Sequence, residues 1–158
     1  MTASFNFDNI PEELKQLPQW CGYKLQFVDG EKTKVPYQIT GSRASSTDPK
    51  TWTLFDKVKT AYQDGIFDGI AFMLSKENGM VFIDLDDCIK DGVIESWAVD
   101  IVKKFNSYTE RSQSGKGLHV LIKGIKPGDR CRSSKYPRKV EIYSHSRQCC
   151  LTGDLVVV

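Results

Sequence analysis

No apolar run in this 158-residue sequence is long enough to cross a bilayer, and the amino terminus lacks a basic-then-apolar signal pattern. Together these argue against a helical membrane protein and make a cytoplasmic protein the expectation. Cys-x-x-Cys is also missing. The five cysteines, Cys21, Cys88, Cys131, Cys149 and Cys150, are odd in number and scattered, which argues against a disulfide framework. The Walker spacing G-x-x-x-x-G-K-[ST] does not occur, so a P-loop nucleotide site is excluded. The two histidines, His119 and His145, form no His-x-His pair of the kind a rolling-circle nickase needs. There is no internal repeat and no low-complexity tract. Neither sign of charge dominates. The net charge of +2 neither requires nor excludes a nucleic-acid partner, and the distribution of charge matters more. What remains is ordinary soluble composition, 40% hydrophobic and 27% charged, in a length that suits one domain over residues 1–158.

Along the chain, Asn9 to Leu17 reads as a short helix, with Asn9 as cap, Pro11 in the first turn and Pro18 as the stop. Trp20 to Val28 and Lys32 to Tyr37 read as a hairpin around Asp29-Gly30, and Pro36 puts the second strand at an edge. Residues 51–62 read as a helix in which Trp52, Phe55, Val58 and Tyr62 share a face. Gly69 to Leu74 and the strand from Met80 read as a second hairpin over 69–84, and Cys88 to Gly92 as a loop. A helix follows over 95–105, with Trp97, Ile101 and Phe105 on one face and Ala98 and Val102 beside it. Leu118 to Ile122, Val140 to Tyr143 and Cys149 to Thr152 read as short strands, and Lys126 to Arg138 as irregular. Strands and helices mix without strict alternation, so the expected class is α+β with a mixed, largely antiparallel sheet flanked by helices.

Three stretches carry chemistry. In Met80-Val-Phe-Ile-Asp-Leu-Asp-Asp-Cys88, an apolar strand runs into Asp84 and Asp86. Strand residues i and i+2 point the same way, so the two carboxylates should project together, and a divalent cation would relieve their repulsion. Asp86 or Asp87 as a simple helix cap is the plainer alternative. In Ser112-Gln-Ser-Gly-Lys-Gly-Leu-His119, glycines can turn amides toward an anion, with Ser114, Lys116 and His119 as further donors. The plainer alternative there is a glycine-rich turn with a core histidine behind it. In Val140-Glu-Ile-Tyr143, Glu141 is a carboxylate among apolar strand residues, either salt-bridged or the third member of an acidic cluster.

In this order, D-x-D on a strand, S-G-x-G-x-H and an acid between hydrophobics, the motifs resemble the archaeo-eukaryotic primase superfamily. The nearer resemblance is to primase-polymerases of phages and other mobile elements. It extends to Gln19-Trp20, Lys32-Thr-Lys-Val-Pro-Tyr37, Ala44-Ser-Ser-Thr-Asp-Pro49 with Trp52, Ser107-Tyr-Thr-Glu110 and Leu151-Thr-Gly153, and so covers nearly the whole chain. Gln113 stands where many relatives have proline. Relatives usually continue past the Thr-Gly into helices and often a helicase domain, whereas this sequence ends at Val158.

The resemblance implies an RRM-like catalytic core and a template-dependent nucleotidyltransferase, a DNA primase or DNA polymerase. Such an enzyme joins dNTPs or NTPs on single-stranded DNA, with a primer where one is present, in replication of a phage, plasmid or other mobile element. It implies two Mg²⁺ or Mn²⁺ ions on Asp84, Asp86 and Glu141. Ser114, Gly115, Lys116, Gly117 and His119 would grip the nucleotide phosphates, with Arg147 as a weaker candidate. A replicative helicase, in cis or in trans, is the implied partner, and the setting is bacterial or host cytoplasm.

Template contact should be mostly electrostatic, because a polymerase accepts any sequence. Lys34 and Arg43 are candidates. So is the segment from Lys123 to Lys139, which includes Arg132, Lys135 and Arg138, interleaves Tyr136 and holds one acid, Asp129. Cys131, His145, Cys149 and Cys150 have poor spacing for zinc. Two other classes compete: a non-catalytic single-strand or nucleotide-binding initiator or helicase adaptor, and a metal-dependent nuclease.

Overall fold

The computed structural model describes residues 4–136 and 139–158. In chain order the strands are β1 (Trp20–Val28), β2 (Glu31–Tyr37), β3 (Gly69–Leu74), β4 (Met80–Leu85), β5 (Ile89–Lys90), β6 (Val93–Ile94), β7 (Tyr108–Arg111), β8 (Leu118–Lys123), β9 (Val140–Tyr143) and β10 (Arg147–Leu151). The helices are α1 (Glu12–Lys15), α2 (Phe55–Gln63) and α3 (Ser96–Phe105). The class is α+β, and every strand pairing among the described residues is antiparallel. The chain divides into two compact units made of non-contiguous segments. One takes Ile10–Leu74 and Ser146–Leu151; the other takes 4–9, Ser75–His145 and Thr152–Val158.

The first unit holds a four-stranded sheet in the order β10-β3-β1-β2. Asp29 and Gly30 both adopt positive φ, 50° and 81°, which suits the tight hairpin joining β1 to β2. On one face Trp20 meets Phe55 and Phe72 edge-on, with ring centroids 5.0 and 5.2 Å apart, and its indole donates to the Leu14 carbonyl at 2.9 Å. On the other, Cys21, Tyr23, Ala71, Met73 and Cys150 pack with Leu25, Ala44 and Trp52. Two expectations are corrected here. The helix expected over 9–17 shortens to α1; Asn9 instead ends a 3-10 turn of the other unit (Phe7–Asn9). The helix expected from Thr51 starts at Phe55, because Trp20 and Thr53 exchange both backbone hydrogen bonds and hold that stretch extended.

The second unit holds a sheet in the order β7-β8-β4-β9. One face is apolar: Val81, Ile83, Leu85, Leu118, Val120 and Val140 pack against Ala98 and Val102 of α3. Ala98 and Val102 are buried, and Trp97 and Ile101 of the expected stripe pack partly buried against the same cluster. Trp97 stacks at 5.2 Å on Tyr136, and Phe105 is largely exposed. Asn106 ends α3 in the left-handed conformation, its amide donating to Val102. Residues 69–84 do not form the expected hairpin. β3 pairs with β1 and β10, and β4 with β8 and β9, so each finds its partners in a different sheet. Residues 88–92 are not a plain loop either. β5 and β6 close a hairpin on Asp91-Gly92, again with both φ values positive.

Candidate active site

The site lies on the polar face of the second unit's sheet. Asp84 of β4 stands opposite His119 of β8 on one side and Glu141 of β9 on the other, and His119 stands opposite Glu110 of β7. Directly opposed residues share a face. The register therefore draws Glu110, His119, Asp84 and Glu141 into one row across the strands. The alternating neighbours Ile83, Leu85 and Val120 point into the core, which is why the row sits on a rigid, buried support. A backbone bridge places Arg132 opposite Glu141 at the end of the row.

The row is mostly shielded from water. Side-chain exposure is 16% for Asp84, 5% for His119, 14% for Glu141 and 0% for Glu110. The His119 Nδ1 lies 2.8 Å from Glu110 Oε1, its Nε2 lies 3.8 Å from Asp84 Oδ1, and its ring leans on Phe82 at 5.0 Å. Glu141 accepts from the Tyr143 hydroxyl and pairs with the Arg132 Nε at 3.3 Å.

Sequence reasoning missed Glu110 as a site residue. The signal was a lone acid in a strand just ahead of the glycine loop. Its carboxylate accepts from the Thr152 amide at 3.0 Å, the Gly153 amide at 2.8 Å and the Tyr108 hydroxyl at 2.6 Å. Burial, and then the charge of Glu110, push the Tyr108 phenol upward, which keeps it a donor.

The loop 112–117 joins β7 to β8. Gly117 brings it against β4: a Cβ there would lie 2.6 Å from the Leu85 carbonyl oxygen. The amides expected to face a phosphate are satisfied within the loop. Gly115 donates to the Ser112 carbonyl, Lys116 to the Ser114 hydroxyl and Gly117 to the Ser112 hydroxyl. Two of those acceptors are serine hydroxyl oxygens, so their amides are released only if the serine side chains change rotamer. Lys116 and Ser114 are exposed. Lys116 also lines a pocket of about 290 Å³ with Arg111, Gly115 and Asp91.

Asp86 falls in the turn after β4 rather than on the strand. Its amide donates to the Lys139 carbonyl at 2.7 Å and its side chain is exposed. Asp84 and Glu141 supply hard oxygens in direct register, the donor type that Mg²⁺ and Mn²⁺ take. Among the described residues no three His, Cys, Asp or Glu side chains stand close enough together to hold a metal ion. Arg132 provides positive charge at Glu141 instead, so a residue expected to touch template sits at the end of the carboxylate row. The carboxylates fit a divalent cation in donor chemistry.

Lys34, Arg43 and Arg147 belong to the first unit. Lys34 lies 5.8 Å over the Tyr23 ring, Arg43 lies 5.3 Å over Tyr37, and Arg147 opens β10 opposite Leu74. Lys135 is exposed, its ammonium 5.2 Å over Tyr136. Arg138 lies outside the described residues. All five cysteines are free thiols, and burial pushes Cys88 up to about 12, which makes it inert. Cys149 and Cys150 are consecutive on β10, so their thiols leave opposite faces of that strand.

No family model matches the chain. It is 34% identical over 147 residues to a protein described as a DNA primase-polymerase, from Nitratiruptor phage NrS-1. The match takes in 90% of this chain and 20% of that protein, so the chain spans about a fifth of its relative's length.

Proposed function

Because the chain is a relative of a phage DNA primase-polymerase, we propose that it is the nucleotidyl-transfer core of such an enzyme, joining dNTPs or NTPs on single-stranded DNA. The observation that carries this reading is the place of His119. It follows Gly117 by two residues and stands opposite Asp84, so a phosphate loop and a carboxylate row meet at one end of one sheet. A binding module has no need to bury acids side by side at that cost.

In this reading Asp84, Glu141 and Asp86 would hold two Mg²⁺ or Mn²⁺ ions. When bound, the ions supply a lowered pKa for the attacking hydroxyl and charge compensation for the departing pyrophosphate. With Nδ1 held by Glu110, His119 turns Nε2 toward a nucleotide phosphate and donates from it in the doubly protonated form. Ser114 and Lys116 add a hydroxyl and a positive charge from the exposed rim of the loop, and the Ser112 and Ser114 hydroxyls release the Gly117 and Lys116 amides toward the same anion. Arg132, which pairs with Glu141, would have to release that carboxylate for it to serve as a metal ligand.

Primer extension on a single-stranded template tests the proposal. The expected result is elongated primer in Mg²⁺ or Mn²⁺ and none in excess chelator; omitting the primer then tests initiation. Bound DNA and nucleotide without product would instead favour the initiator or adaptor reading. A shortened template without incorporation would favour the nuclease.

The basic segment 123–139 is the proposed template contact. Part of it lines a pocket of about 510 Å³ where Lys76, Lys126 and His145 meet the Tyr143 ring, a mixture of charge and aromatic surface that suits single strands. Lys135→Ala removes an exposed positive charge from the segment. It should flatten the salt dependence of single-strand binding, lowering the log–log slope by about 0.7. An unchanged slope in a fluorescence-anisotropy titration would remove Lys135 from the contact. A replicative helicase, in cis or in trans, is the proposed partner.

A further inference from the structure

We propose that Glu110, held by the Thr152 and Gly153 amides, is a positioning residue that fixes the tautomer and orientation of His119. Its consequence for catalysis rests on the nucleotidyl-transfer reading; the strut itself does not.

A fully buried carboxylate is costly unless each oxygen is well supplied with donors. Glu110 is supplied from three directions: two backbone amides, the Tyr108 hydroxyl, and His119 Nδ1. The first three donors are not part of the polar row and serve to hold the carboxylate still. The fourth connects it to the site. An ionised carboxylate only accepts, so the imidazole must carry hydrogen on Nδ1. Nε2 is then the nitrogen left toward Asp84, at 3.8 Å. This holds whether or not Nε2 is also protonated, since both forms keep the Nδ1 hydrogen.

The geometry also gives a role to the Leu151-Thr-Gly153 stretch. Two successive amides can converge on one carboxylate only if the backbone turns sharply, and Gly153 does so at φ +69°. Asn9 donates to the Gly153 carbonyl at 2.9 Å and Asn6 to the Thr152 carbonyl at 2.9 Å, so the turn is pinned from its other side. Second-layer partners of this kind commonly change activity by about 10–100-fold when removed from metal-ligating histidines. A histidine that grips a phosphate makes the same demand on its ring orientation.

The test is ¹⁵N NMR of the His119 ring in the parent chain, in Glu110→Gln and in Tyr108→Phe, beside primer extension. Glutamine keeps the shape of the side chain but no longer obliges the ring to donate. The expected parent spectrum has hydrogen on Nδ1. Glu110→Gln should show mixed tautomers and a kcat/KM for nucleotide lowered by about 10–100-fold. Tyr108→Phe removes a donor to the same carboxylate and should keep the parent tautomer. Identical His119 spectra in the parent and Glu110→Gln would overturn the proposal, and unchanged kinetics despite mixed tautomers would overturn its consequence for catalysis. If Glu110→Gln does not fold, the parent spectrum decides, because hydrogen on Nε2 alone contradicts the strut. An Nδ1–H ring that is lost in Glu110→Gln, in a parent that incorporates no nucleotide, would support the strut and sink the nucleotidyl-transfer reading.

Discussion

Asp84→Asn should cut template-directed incorporation on the order of a thousandfold, the size of loss seen when one preorganised charge-stabilising group is removed. Asp84 sits on the central strand of its sheet, between His119 and Glu141, so it is the member of the row with a functional neighbour on both sides. Asparagine keeps its shape and removes its charge. At 16% exposure the side chain meets some water, and His119 Nε2 stands 3.8 Å from Asp84 Oδ1, beyond hydrogen-bond distance. Little folding energy is therefore at stake, and the melting midpoint should stay within about 2 °C of the parent. Loss of extension with an intact midpoint would assign Asp84 to the chemistry. Extension at the parent rate would remove it from the site, and a collapsed midpoint would make it structural.

Gly153→Ala should lower unfolding free energy by about 4 kcal/mol, placing it among the exceptional single changes. Two costs add. A left-handed backbone at φ +69° disfavours any side chain, by about 1 kcal/mol. The larger cost is contact: the new Cβ would lie 1.8 Å from the Asn6 carbonyl oxygen. That atom is backbone, so no rotamer change relieves the clash. Either residues 4–9 or the 152–153 turn must move, and the turn carries the amides that hold Glu110. Urea unfolding followed by circular dichroism measures the effect as a lowered midpoint. A midpoint equal to the parent's would show that the turn relaxes freely and that Glu110 is not held there.

The part of the site legible in the sequence was the part set by local spacing. Asp84 at the end of an apolar strand, His119 just after a glycine loop and Glu141 between hydrophobics each stand on the strand expected of them. Their register depends on pairing between distant segments, which no local pattern encodes. That is why Glu110 escaped notice: alone it is an acid in a short strand, and only the alignment of β7 with β8 brings it to His119. The misread hairpin over 69–84 has a similar cause. Two apolar strands joined by a tight turn usually pair, but here the turn carries the chain from one sheet to the other. Trp52 was misassigned because its helical spacing matched Phe55 and Val58, while the exchange of hydrogen bonds between Trp20 and Thr53 overrides local preference. Asp86 falls one residue past the end of β4, which stops at Leu85.

The division of the chain has a consequence for synthesis. Each unit waits for residues 146–153 to leave the ribosome. Until β10 appears, β3 has an unpaired edge, and exposed edges of that kind invite aggregation. Until Thr152 and Gly153 appear, Glu110 lacks the amides that make its burial tolerable. A nascent chain stalled at residue 145 therefore carries every acid of the row and the whole glycine loop, yet has finished neither sheet's environment. Maturation should be a late, concerted step, with the capacity for chemistry arriving together with the stability that supports it.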